Sequence, residues 1–222
     1  MKNEFILQDR LSAEDLQAYL LRAKRLDPEG LVRFRAYGAV LASYVAPIFA
    51  GSLMDSGPTI LGLRTSALAK EAEVEALVPI ANVLDRIAKL LAEDPKKYVL
   101  SLPDSQKAAW AGIAPPRGGW ELIGELPEEK LTDIAKAGIA EVADTLPESV
   151  GGPIAARIRG EIWGRQMEYG SKIPNGAAFV AAGLGFLTEN ENVQVYETQG
   201  WVRLSSEHGH VLAKAAPGPV LD

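Results

Sequence analysis

The chain of 222 residues contains no cysteine. Disulfides, thiolate nucleophiles and cysteine-ligated zinc or iron–sulfur sites are thereby excluded. Histidine is nearly absent too, with His208 and His210 as the two that occur. No apolar run reaches the length of a membrane-spanning helix; the best stretch, VLASYVAPIFAG, is short and broken by Pro47. The N-terminal MKNEFILQDRLSAED has no long apolar core and no small-residue cleavage site. No secretory signal is expected, and the cytoplasm is the default location. Basic residues are outnumbered, 23 Lys and Arg against 29 Asp and Glu, for a net charge of −6. An acidic balance argues against non-specific binding to nucleic acid or anionic membrane. No cofactor, no specific nucleic acid and no membrane are expected as partners.

Catalytic patterns are missing as well. Gly51-Ser52 lacks the second glycine of a nucleophile elbow. GGPIAARIRG, residues 151–160, has no Gly-Lys-Ser/Thr, so it is no phosphate loop, and its glycines simply precede Pro153 at a helix start. The carboxylate pairs Glu73/Glu75 and Glu128/Glu129 fit solvated strand and helix-start positions.

What the chain does have is a long stretch with strand character, from Leu31 to Val78. In LVRFRAY, Val32, Phe34 and Ala36 fall on one face and Arg33, Arg35 and Tyr37 on the other. VLASYVAPIF, TILGLRTSA and EVEALV follow, and turn residues at Tyr37-Gly38-Ala39 and from Ala50 to Pro58 separate the first three runs. Short spacers favour an antiparallel meander of four strands. A helix precedes it, capped by Ser12 and lined by Leu16, Tyr19, Leu20, Ala23 and Leu26. Another follows, opened by Pro79 and carrying Ile80, Val83, Leu84, Ile87 and Leu90.

Residues 93–119 are rich in proline and glycine and read as a connector. A possible strand at Trp120–Glu125 comes next. Three helices follow: one opened by Pro127-Glu128-Glu129, one carrying Ile154, Ile158 and Ile162, and one capped by Asn175. A hairpin, VQVYE and WVRLS, ends the series. That order is the order of a winged-helix domain. The expectation is therefore an α+β chain: a helix–four-stranded antiparallel sheet–helix domain over 1–92, the connector over 93–119, a mainly helical, winged-helix-like domain over 120–213, and a flexible tail over 214–222. The would-be recognition helix, NGAAFVAAGLGFL, carries no Lys or Arg, which suits protein contacts better than a DNA groove.

Three short strings carry a resemblance. Leu26-Asp27-Pro28 with LVRFR, Ala108-Ala109-Trp110 with Ala114-Pro115-Pro116, and Gly119-Trp120-Glu121 are similar to a group of conserved actinobacterial proteins of unknown function. The resemblance implies no activity and supplies no catalytic residues.

Four sets of residues stand out as candidates. Arg33, Arg35, Tyr37 and Arg64 lie in a segment whose sole acid is Asp55, and they suit an anionic ligand or acidic partner; the alternative is that the arginines pair with Glu73 and Glu75. His208 and His210 share a strand face and are weak metal-ligand candidates without an evident third ligand, against the reading of an exposed hairpin end. Phe179, Leu184, Phe186 and Leu187 form more apolar surface than one helix easily hides, which suggests an interface. Trp110, Trp120, Trp163 and Trp201 read as packing anchors, with an interface role open for Trp110 and Trp120. The leading expectation is a non-enzymatic protein-interaction module acting as a homodimer. The alternatives are a small-molecule or anionic-ligand binder, and a nucleic-acid regulator using Arg157, Arg159, Arg165 and Arg203.

Overall fold

The computed structural model describes residues 3–49, 57–146, 151–168 and 173–214. The chain divides into two units, Met1–Pro47 with Leu63–Ala111, and Ile48–Gly62 with Gly112–Asp222.

In the first unit, β1 (Glu4–Leu7) leads to α1 (Arg10–Leu26), β2 (Leu31–Ile48), β3 (Thr59–Pro79), α2 (Ile80–Glu93) and β4 (Tyr98–Ser101). The strands run in the order β4-β1-β3, with β2 also on β3. The cap of α1 is Asp9, not Ser12: its Oδ1 accepts from the Ser12 amide at 2.8 Å. Those bonds from Ser12 hold the Asp9 carboxyl below its ordinary range. Leu16, Tyr19, Leu20 and Ala23 of α1 are buried, as are Ile80, Val83, Leu84, Ile87 and Leu90 of α2, and the two helices pack together. Burying each such large apolar side chain stabilises by about 1.5–3 kcal/mol. Tyr19 keeps its polar end satisfied by donating to the Ser43 carbonyl at 3.1 Å. Burial pushes its phenol well above the ordinary value.

The expected four-strand meander is replaced by two long strands. LVRFRAY and VLASYVAPI are one strand, β2, and TILGLRTSA and EVEALV are one strand, β3. Gly38 does take a left-handed backbone, φ 62°, but the strand continues through it. Up to Ala36 the even-numbered residues of β2 are buried; beyond Val40 the odd-numbered Leu41, Ser43 and Val45 are buried, joined at the end by Ala46. The alternation slips by one residue at the glycine, which is what a bulge does; a turn would have reversed the chain. The charged run Lys70–Glu73 fails to break β3 because its side chains stand in solvent. The expected turn from Ala50 to Ser56, and with it Gly51-Ser52, lies outside the described residues, as does the tail beyond Lys214. The stretch read as a connector carries β4, which pairs antiparallel with β1, and a 3-10 turn at Ala109–Gly112 with Trp110 buried.

The second unit contains β5 (Glu121–Pro127), α3 (Glu128–Thr145), α4 (Gly152–Gly164), α5 (Gly176–Gly183), β6 (Asn192–Thr198), β7 (Trp201–Ser206) and β8 (Gly209–Lys214). The strands run in the order β3-β8-β7-β6-β5, and the pairs from β8 to β5 are antiparallel. The hairpin is thus part of a sheet and not a wing. The helix in the recognition position of that order is α5, and Gly176, Ala177, Ala178, Val180 and Ala181 are all buried in it. A helix that is apolar all round is a core helix. It packs on α3, α4 and β8. Small residues make this possible. A Cβ on Gly138 of α3 would sit 2.2 Å from Cζ3 of Trp163, and one on Gly176 would sit 2.6 Å from Cδ1 of Ile60.

Candidate functional site

The sheet arginines of the first unit come together only in part. Arg33 Nε donates to Glu75 Oε1 at 2.5 Å, and Arg35 Nε lies 2.6 Å from Glu75 Oε2. Arg33 also donates to the Ala111 carbonyl at 2.7 Å. A cavity of about 350 Å³ opens beside them, lined by Arg33, Glu75, Ser105, Gln106 and Lys107 among others. Tyr37 projects into solvent beside the Gly38 kink. Arg64 is engaged elsewhere, in an ion pair with Asp15 of α1. Arg33 and Arg35 therefore follow the alternative reading of paired strand charges, with Glu75 serving both.

Of the apolar set in the second unit, Leu184 and Phe186 are interior, while Phe179 and Leu187 are half-buried. Leu184 is 1% exposed and Phe186 2% exposed. Phe179 stacks on Trp163 with ring centroids 4.5 Å apart. Phe186 packs so close to Gly209 that a Cβ there would meet its ring at 2.5 Å. Part of the surplus that suggested an interface is absorbed within the unit, Phe179 on Trp163 and Phe186 against Gly209. His208 is exposed in the β7–β8 turn; His210 is on β8 with Nδ1 3.0 Å from Ser205 Oγ. Among the described residues no three His, Cys, Asp or Glu side chains gather as a metal site. Of the basic set proposed for nucleic acid, Arg157 and Arg165 pair with Glu161 and Glu141, and Arg159 is exposed on α4.

Two features escaped sequence reasoning. The first is the rim strand β5, which pairs on one side with β6. Its register slips between Leu122 and Gly124, a bulge at Ile123. Leu122 is 56% exposed and Ile123 45%. Both are thus apolar side chains in solvent on the last strand of the order, where among the described residues the sheet ends.

The second is a cup on the face of β6, β7 and β8. Gln194 is opposite Ser205, Ser205 opposite His210, and Tyr196 opposite Arg203, so strand alternation places all five on one face. The guanidinium carbon of Arg203 stands 4.2 Å from the Tyr196 ring centre and 4.8 Å from that of Trp120. Trp120 is itself held by donating its indole N–H to the Pro116 carbonyl at 3.1 Å. Gln194 Oε1 accepts from the Tyr196 hydroxyl at 2.7 Å, which fixes both side chains. Glu191 closes the rim by accepting from the Glu207 amide at 2.7 Å. Burial, and then the charge of Arg203, holds His210 below its ordinary pKa. The cup encloses about 430 Å³. The available signal was the alternation Gln-Val-Tyr and Arg-Leu-Ser; the distance in sequence to Trp120 concealed the rest.

The architecture is similar to that of bacterial sliding clamps. The DnaN sliding clamp of Bartonella birtlesii, DNA polymerase III subunit beta, solved bound to griselimycin, is 13% identical with a TM-score of 0.54, over 99% of this chain and 66% of that one. The subunit beta of Borrelia burgdorferi, solved with a natural product, is 10% identical with a TM-score of 0.52, over 98% of this chain and 65% of that one. The polymerase sliding clamp of Caulobacter crescentus is 12% identical with a TM-score of 0.51, over 99% of this chain and 67% of that one. Likeness at such identity is likeness of fold. It overturns the expected four-stranded sheet with a winged-helix domain in favour of the α+β sliding-clamp fold with eight antiparallel strands. The chain spans about two thirds of the length of these clamps. No curated protein matches its sequence. Residues 115–218 match the family described as Domain of unknown function (DUF8185). Residues 1–112, half of the chain, match Domain of unknown function (DUF8010), and to that family the chain belongs.

Proposed function

We propose that this chain is a protein-interaction module that acts as a homodimer, with the rim strand β5 at the interface. The observation that carries the reading is the exposure of Leu122 and Ile123 on a strand paired on one side. Such an edge offers unpaired backbone donors and acceptors beside apolar side chains, and a second copy is the simplest occupant. The fold likeness supports this direction, since the similar chains are named as clamps and as subunits of a polymerase. The partner surface differs from the one that sequence suggested, because Leu184 and Phe186 are spent in the core.

The bulge and the flanking Glu121 and Glu125 weigh on the other side, because twist and charge are common ways to protect an edge. Light scattering on the full chain separates the two. A dimer mass at tens of micromolar that falls to a monomer when Leu122 and Ile123 are both changed to Glu supports the reading. A monomeric wild type overturns the dimer. A dimeric Leu122→Glu, Ile123→Glu variant moves the interface away from β5.

A further inference from the structure

We infer that the Arg203 cup is a binding site for a carboxylate. Arg203 is half-buried, and among the described residues its contacts are the rings of Trp120 and Tyr196. Among the described residues no carboxylate or carbonyl takes its N–H groups, and Nε is buried without an acceptor. Other arginines in this chain are treated differently: Arg33 and Arg35 share Glu75, Arg165 holds Glu141, and Arg10 reaches Glu14 and Asp94. Contact with a ring offsets part of the charge but consumes no N–H donor. A guanidinium held by rings and left with free terminal donors is preorganised for a planar acceptor, and a carboxylate matches its fork.

The rest of the cup narrows the ligand. The Gln194 amide retains its two N–H donors because its oxygen is the atom bonded to Tyr196. Ser205 and His210 stand on the same face, and the His210 imidazole is held toward its neutral form. Glu191 and Glu207 stand at the rim. With one fixed cation against two carboxylates, a phosphate dianion is repelled more than a single carboxylate. The ligand is then a small carboxylic acid or the acidic side chain of a peptide. These share the carboxylate, and experiment distinguishes them.

The test uses the full chain, labelled with nitrogen-15. Sodium acetate, a blocked triglutamate peptide and sodium phosphate are titrated separately, and the Arg203 Nε–H and Trp120 indole N–H signals are followed by NMR. Saturable shifts with acetate or the peptide are expected. Arg203→Gln should weaken them by about tenfold or more. Glu191→Gln, which keeps the oxygen that accepts from Glu207, should tighten them by about threefold. A tighter peptide assigns a peptide source; acetate binding without any gain from the peptide assigns a small acid. Absence of saturation with both probes overturns the site. So does phosphate binding as tight as acetate, or an affinity unchanged in a folded Arg203→Gln. Should that variant fail to fold, an unchanged affinity in Glu191→Gln overturns it instead.

Discussion

The two units fill their interiors and settle the arginines of their sheets in opposite ways. In the first, large side chains interlock: Phe5 meets Phe34 with ring centres 5.4 Å apart, and Leu16, Leu20 and Ile87 are fully buried. Its sheet arginines, Arg33, Arg35 and Arg64, are held by carboxylates. In the second, glycine makes room for aromatic rings, as Gly138 does under Trp163, and the arginine of the sheet face is held by rings. The difference teaches where each unit is vulnerable. The first should suffer from losing volume, the second from gaining it. The first has spent Arg33, Arg35 and Arg64 on its own acids, and the second leaves Arg203 without one among the described residues.

The largest expected effect is in the first unit. Phe34→Ala removes a fully buried ring and leaves a cavity, at a cost of about 3–5 kcal/mol by chemical denaturation. Next comes Gly138→Ala in α3. Alanine is the better helix former, so an open site would gain stability. Here the new methyl meets the buried Trp163 ring, and a loss of about 1–3 kcal/mol is expected. Adding Trp163→Leu should recover part of it, since the two positions share one space. If Gly138→Ala stabilises the chain, the contrast between the units is broken.

A smaller effect separates the two kinds of arginine. Glu75→Gln removes the carboxylate shared by Arg33 and Arg35. Its side chain is half-exposed, so water screens the pair and the expected loss is about 0.5–1 kcal/mol. That loss should shrink in high salt, because exposed ion pairs are screened. Arg203→Met should show less salt dependence, since ring contact and packing hold that side chain. Equal salt dependence at both sites would remove the distinction.

The helices were legible because their signal is local. The apolar stripes at Leu16–Ala23 and Ile80–Leu90 are the faces that are buried. The short strands were not. β1 and β4 are four residues each, and what makes them strands is each other, since Glu4 is opposite Ser101 across ninety-odd positions of sequence. Gly38 misled because a left-handed glycine serves a turn and a bulge equally well. The uncharged α5 was noticed as unfit for a groove, yet its composition means burial once a sheet and two helices surround it. Arg203 was visible as a cation and invisible as a site, because its two rings come from residues 120 and 196.

The smallest effect concerns pH and belongs to the second unit. Burial and then the Arg203 charge hold His210 below its ordinary pKa. The folded protein therefore gives up this proton more readily than the unfolded chain does. Between the ordinary histidine range and the lower folded value, the unfolded chain binds more protons, so stability falls as pH drops through that window. Above the ordinary range the contribution is whole. The first unit contains no histidine, and its Asp9 and Asp94 are held below the ordinary carboxylate range, Asp9 by Ser12 and Asp94 by Tyr98 and then Arg10. Those two groups lose stability only in stronger acid. Asp27 runs the other way, since burial raises it, and that too acts near the carboxylate range. Melting temperatures at about pH 7.5 and about pH 5.5 bracket the histidine window. The wild type should lose more between them than His210→Gln does. Arg203→Gln should reduce the loss without abolishing it, because burial is the larger cause and remains. If His210→Gln loses as much as the wild type, the acid sensitivity in this range lies elsewhere and the imidazole of the cup is not held neutral.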